Sequence, residues 1–180
     1  CVPVGELTRF PRFMSQLAPS LQGLILAGFP TMTTDVKFEV FESLTFAYLV
    51  SAAEIAANVV TALLAGGLNS LKKLELSVSS ITSRDAVTHR LADVLKLNTA
   101  LVSFDVHSNN LLDGGVVTLA EALKVNTALA TLDLEYNSIG DEGAVGLAEA
   151  LKVNTALTTL HWRGNSIGDE ATVGLADYVQ

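Results

Sequence analysis

The chain has 180 residues, a formal net charge of −8 and 49% apolar residues, which suits one domain or a repeat array and excludes intrinsic disorder. Aromatic residues make up only 6%, so the core has to be aliphatic. A single cysteine, Cys1, leaves no internal disulfide framework and no cysteine-based zinc or iron–sulfur site, and it points to a reducing, intracellular compartment.

The charge is uneven. Residues 1–100 carry 8 acidic and 8 basic side chains, whereas 101–180 carry 11 acidic and 3 basic. Phosphate recognition needs clustered Lys and Arg, so a nucleic-acid partner is not expected. Five of the acids, Asp113, Asp141, Glu142, Asp169 and Glu170, fall where helices are expected to start, and there carboxylates cap amides and oppose the dipole.

In chain order, a chain that begins at Cys1 reads as processed or as part of something longer, and its first residues carry no signal-peptide pattern. Residues 1–40 are expected to form an irregular N-terminal cap, with Leu21, Leu24 and Leu26 as a degenerate strand. The repeat domain is expected over 41–180, as about five units of 28–30 residues. Its first unit places Phe41, Leu44 and Phe46 on a strand. The stretch from Phe46 to Ala65 is long and apolar enough to suggest a membrane span, but Glu54 and Asn58 interrupt it. The repeat register makes 52–65 a helix of low polarity instead, and no membrane span is expected. Leu71, Leu74 and Leu76 form the next strand.

From there the repetition is literal. LAEALKVNTAL occurs at Leu119–Leu129 and again, 28 positions on, at Leu147–Leu157, with a diverged copy LADVLKLNTAL at Leu91–Leu101. Around these copies runs LxxLxLxxN: Leu129, Leu132, Leu134, Asn137, then Leu157, Leu160, Trp162, Asn165, with Leu101, Phe104, Val106, Asn109 as a variant. Alternation puts Leu132 and Leu134 on one side of a short strand and Asp133 and Glu135 on the other. Asn109, Asn137 and Asn165 are expected to stack at one edge, their amides satisfying turn backbone. Ala144, Leu147, Ala148 and Leu151 make one buried helical stripe, with Asn154 near the helix end as a left-handed cap. One strand and one helix cannot bury their own apolar faces, so the copies must stack.

These residues resemble the ribonuclease-inhibitor-like class of leucine-rich repeats, found also in the sensing domains of nucleotide-binding immune receptors. The resemblance is close over 91–180, fair over 71–90 and weak over 1–70, where Ser79, Leu49 and Phe29 replace the turn Asn. It implies an α/β solenoid curved into a horseshoe, with parallel strands on the concave face and helices on the convex face. The activity it implies is protein binding.

The same register fixes which side chains face outward. One row is Glu75, Asp105, Asp133 and His161, and a second is Ser77, His107, Glu135 and Arg163. Adjacent strands lie about 4.8 Å apart, which lets His161 pair with Asp133 and His107 with Glu135. Such pairs suit a base or a metal, yet a shallow sheet face offers no pocket. No catalytic residue, cofactor site or metal site is assigned, and no nucleotide-binding glycine motif occurs. Trp162 replaces a core Leu and is read as structural; Tyr136 faces out and suits a contact hot spot. His89 reads as a helix surface residue.

The expected function is therefore a non-enzymatic interaction module or scaffold. Its partner-binding face comprises Asp105, His107, Asp133, Glu135, Tyr136, His161 and Arg163, and its partner is a protein with a basic surface. The alternative is a constitutive subunit of a large assembly. An enzyme or metal site on the His and carboxylate rows ranks behind both.

Overall fold

The computed structural model of the chain describes residues 23–27, 45–50, 70–77, 81 and 86–176. Among these, six strands lie parallel and in chain order: β1 (Gly23–Ala27), β2 (Phe46–Val50), β3 (Lys73–Glu75), β4 (Ser103–Asp105), β5 (Thr131–Asp133) and β6 (Thr159–His161). Helices α1 (Ala86–Leu97), α2 (Leu112–Leu123), α3 (Asp141–Leu151) and α4 (Asp169–Ala176) alternate with the later strands. Parallel neighbours require each chain to return to the same end of the sheet, and the helices make that return. The result is an α/β leucine-rich-repeat solenoid.

The core follows from the repeat. Leu74, Phe104, Leu132 and Leu160 pair in register across β3 to β6, and all four are buried. Leu76, Val106 and Leu134, just past the strands, form a second buried layer. From the other side α2 contributes Val116, Leu119, Ala120 and Leu123, and α3 contributes Ala144, Leu147, Ala148 and Leu151. Each set recurs at i, i+3, i+4 and i+7, the spacing of one helical face. Trp162, at the Leu134 position of the next copy, is partly buried against this core.

Two files of asparagine hold the copies together. Asn165 donates Nδ2 to the carbonyls of Leu134 (2.9 Å) and Trp162 (2.7 Å), while its Oδ1 accepts the amides of Asn137 (2.9 Å) and Ile139 (3.1 Å). Asn137 donates to Val106 (2.9 Å) and Glu135 (3.1 Å), and Asn109 to Leu76 (2.7 Å) and Val106 (2.8 Å). Each side chain thus serves its own turn and the one before it. The second file, Asn98, Asn126 and Asn154, lies where helices hand over to strands. Asn126 donates to Leu95 (2.5 Å) and accepts from Leu129 (2.8 Å); Asn154 donates to Leu123 (2.6 Å) and accepts from Leu157 (2.8 Å).

The structure corrects several expectations. Asn154 is not a left-handed helix cap: α3 ends at Leu151, Lys152 beyond it is right-handed, and the asparagine bridges copies instead. The first-turn acids Asp113 and Asp141 act on the neighbouring helix rather than their own. Asp113 Oδ1 accepts the amides of Gly140 (2.7 Å) and Gly143 (3.0 Å), which open α3, and Asp141 Oδ1 accepts that of Gly168 (2.7 Å) ahead of α4. A Cβ on Gly143 would lie 2.7 Å from that Asp113 oxygen, so glycine admits the contact.

The LxL pairs straddle the strand ends: Leu74, Phe104, Leu132 and Leu160 are the central residues of β3 to β6, and Leu76, Val106, Leu134 and Trp162 come just after them. In β2 the register differs by three residues: Ala47, not Leu44, pairs with Leu74 and is buried, and Leu49 lies within the strand instead of at the turn. The segment offers two successive apolar alternations, and the second one pairs. Strand β2 also accounts for the first five residues of the apolar stretch from Phe46; residues 51–65, and with them the expected helix, lie outside the described residues. No described helix is long and apolar enough to cross a membrane.

Two substitutions test this frame. Leu132→Ala removes a fully buried side chain and is expected to cost about 2–5 kcal/mol. Asn137→Ala strands the turn carbonyls of two copies and is expected to cost about 1–3 kcal/mol per buried group left unmade. Denaturant unfolding reads both, and hydrogen exchange should show protection lost in the copies on either side; unchanged melting of Leu132→Ala would contradict the register.

Candidate functional site

The outward side of the sheet carries the polar residues of alternate strand positions. Register pairs Glu75 with Asp105, Asp105 with Asp133, and Asp133 with His161, so three carboxylates and an imidazole stand in one lateral row. The aspartates are fixed at their bases. Asp105 Oδ1 accepts the amide of His107 (2.9 Å), and Asp133 Oδ1 accepts that of Glu135 (2.9 Å). This local bond turns the chain out of each strand and places His107 and Glu135 in the second row.

His107 does not pair with Glu135. Its Nδ1 lies 2.8 Å from Asp105 Oδ1, on its own copy, because the turn that Asp105 holds brings the ring back over the carboxylate. One donor atom each of Glu75, Asp105 and His107 lies within 4.8 Å of the others, so these three residues are placed to share a cation. Ser77 is buried instead of facing out; a serine is short enough to be covered where His107, Glu135 and Arg163 at the same position reach outward. His161 and Arg163 are exposed at the far end of the rows. His89 is exposed on α1, as expected.

Crowding of like charge marks the row. Burial pushes the Glu75 carboxyl up, with Asp105 adding to it and Lys73 opposing. The Asp133 carboxyl is also raised, first by burial and then by Asp105 and Glu135, against the lowering effects of the Glu135 amide and His161. For His107, burial favours the neutral ring, but the Asp105 contact and the surrounding carboxylates outweigh it and raise its pKa.

Tyr136 stands beside this row, 52% exposed and with φ +53. The same turn position is Ser108 (φ 55) one copy earlier and Gly164 (φ 74) one copy later, so the repeat imposes a left-handed backbone whatever residue occupies it. For a bulky aromatic that conformation costs on the order of 1–2 kcal/mol. The ring leans over Gly164: a Cβ there would sit 2.4 Å from Tyr136 Cδ1 and Cε1. Composition and spacing identified Tyr136 but gave no sign that Gly164 is its floor. The structure also shows an apolar file that sequence reasoning missed: Leu97, Val125 and Val153 recur 28 residues apart at helix ends and are 72%, 61% and 59% exposed.

Residues 125–148 match the model of a leucine-rich-repeat family. The chain is similar to the structure of leiomodin-1 actin-binding site 2, at 18% identity and TM-score 0.66, covering 99% of this chain and 88% of that one. It is similar to a tropomodulin C-terminal domain from Caenorhabditis elegans, at 13% identity and TM-score 0.64, covering 97% and 89%. An internalin from Listeria monocytogenes aligns at 22% identity and TM-score 0.53, covering 91% of this chain and 47% of that one. No curated protein sequence matches. The chain therefore has the fold of leucine-rich-repeat proteins, and residues 125–148 carry a recognisable copy of the repeat.

Gly164→Ala is expected to destabilise, because the methyl group meets the Tyr136 ring and the backbone angle disfavours it, whereas Tyr136→Gly should leave the melting temperature unchanged or higher. A loss of stability in Tyr136→Gly would make that ring a structural element. Asp133 gives a pH test. Its raised pKa means the folded state holds the proton more tightly than the unfolded chain, so stability falls as pH rises from about 3.9 through the raised value. Asp133→Asn keeps an acceptor for the Glu135 amide and removes the charge. Its melting temperature should exceed that of the parent at neutral pH, and the gap should close on acidification below about pH 4.

Proposed function

We propose that this chain is a non-enzymatic protein-interaction module that binds a partner presenting Lys or Arg to the outward face of its sheet. The supporting observation is the lateral row of Glu75, Asp105 and Asp133, flanked by Glu135 and by an exposed Tyr136 held in a costly backbone conformation. Repelling carboxylates and a strained aromatic do not help the fold, and residues that cost stability concentrate where something is bound. An aromatic face beside carboxylates suits a guanidinium or ammonium group, which can stack on the ring while pairing with the acids. His107, His161 and Arg163 sit around the patch and would limit which basic surfaces fit.

In this reading residues 1–40 serve as the N-terminal cap and 41–180 as the repeat array, of the ribonuclease-inhibitor-like class, acting inside the cell. The leiomodin-1 region to which the chain is similar is an actin-binding site, which makes actin the first protein to assay. A second reading, a constitutive subunit of an assembly, is favoured by the exposure of Leu97, Val125 and Val153 at the same position of successive copies, since repeated exposed apolar side chains suit a contact.

The test uses Asp133→Asn with Glu135→Lys, which changes the charge while retaining an acceptor for the turn amide. Against a partner captured from native extract, this variant should associate more slowly and with a weaker dependence on ionic strength, its circular dichroism unchanged. Equal association rate and salt response in a folded variant would rule out the acidic face. Size-exclusion chromatography separates the second reading, because an obligate subunit aggregates or stays bound to its partner.

A further inference from the structure

Glu75 and Asp105 face each other on adjacent parallel strands, and their side chains retain 14% and 16% of their exposure. Like charges directly opposite on neighbouring strands repel. The ammonium of Lys73 lies 3.8 Å from Glu75 and is itself 54% exposed, a weak and solvated counterion. Into this pair the turn after β4 folds His107, whose backbone and ring nitrogens both meet Asp105. The corresponding places in the next copies hold Glu135 and Arg163, so the register assembles one imidazole with two carboxylates here and not in those copies.

We propose that Glu75, Asp105 and His107 form a binding site for a single divalent metal ion of the zinc type. One donor atom from each residue already lies within 4.8 Å of the other two. Bond lengths of about 2.0–2.2 Å require the 2.8 Å contact of His107 Nδ1 with Asp105 to open slightly and any wider separation to close, changes that side-chain rotation can supply. The imidazole selects the kind of ion: Zn2+ and its neighbours favour nitrogen with carboxylate, whereas Ca2+ seeks about 6–8 oxygens and Mg2+ an octahedral oxygen shell. Three protein ligands leave a tetrahedral position open for water or for a donor from a bound protein. On binding, the ion takes the ring lone pair that faces Asp105: a protonated ring releases one proton to solvent, and a neutral ring keeps its single proton on the other nitrogen. The site shares Glu75 and Asp105 with the proposed binding face, but its occupancy requires no partner, so metal titration of the chain alone tests it separately from the proposed binding function.

Zinc chloride titrated into the full chain at about pH 7.5, followed by calorimetry and by imidazole 1H–15N spectra, tests it. The expected result is one ion per chain, bound more tightly than about 100 µM, with the His107 ring resonances shifted. His107→Gln and Glu75→Gln should each weaken binding at least about tenfold, since loss of a ligand exceeds loss of a supporting contact. His89→Gln should leave it unaltered, and acidification to about pH 5.5 should release the ion. Three results overturn the site: a dissociation constant above about 1 mM, undiminished binding in both folded glutamine variants, or ring shifts at His89 or His161 without His107. If either variant fails to fold, the spectrum of the parent protein decides by which ring moves. Calcium binding as tight as zinc would overturn the assignment of ion type.

Discussion

A unit of one strand and one helix leaves backbone groups at its turns that it cannot satisfy alone, and everything else in this structure follows from where those groups find partners. They find them in the adjacent copy. Asn165 serves amides and carbonyls of both its own turn and the one that holds Asn137, and Asn126 and Asn154 do the same at the helix ends. Asp113 Oδ1 accepts hydrogen bonds from the amides that begin α3. An unmade hydrogen bond in a buried turn costs about 1–3 kcal/mol, so a copy that slipped along its neighbour by one residue would lose several such contacts at once. Hydrophobic layers make stacking favourable, but they tolerate shifts; the side-chain amides fix the register.

This constraint also explains what could be read from sequence. From Leu74 onward the LxL alternation, the helical stripes and Asn109, Asn137 and Asn165 each carry a period that a single unit displays, and they lie where expected. The direction of a side chain at a turn carries no period. Asp113 looks like a cap for α2, and only the stacked copies show that its oxygen reaches Gly140. Asn154 looks like a helix stop, yet its amide bridges to Leu123 and Asn126. In β2, Leu44 with Phe46 and Ala47 with Leu49 offer equal alternations, and the choice between them depends on pairing with β3, which no local pattern contains.

The outward face was legible as a row of residues but not as a set of contacts. Strand alternation alone places Glu75, Asp105, Asp133 and His161 in line. Which of them interact depends on turn geometry: Asp105 bonds the His107 amide, the chain bends, and the ring comes back to Asp105 instead of crossing to Glu135. Ser77 is covered where its longer counterparts are not.

Ser108, Tyr136 and Gly164 show how fold and recognition are divided in such an array. Their backbones share one left-handed conformation because Asn109, Asn137 and Asn165 immediately follow and are held in place. The side chain at this position is therefore not chosen by the backbone, which glycine would suit best. Tyrosine stands there against the local preference, and the glycine of the next copy lies beneath its ring. Rigid inter-copy bonding lets the turn absorb a strain on the order of 1–2 kcal/mol without changing shape. The core can thus remain nearly identical from copy to copy while the outward positions differ in charge, size and aromaticity, and a surface assembled in this way derives its specificity from the residues that the repeat does not dictate.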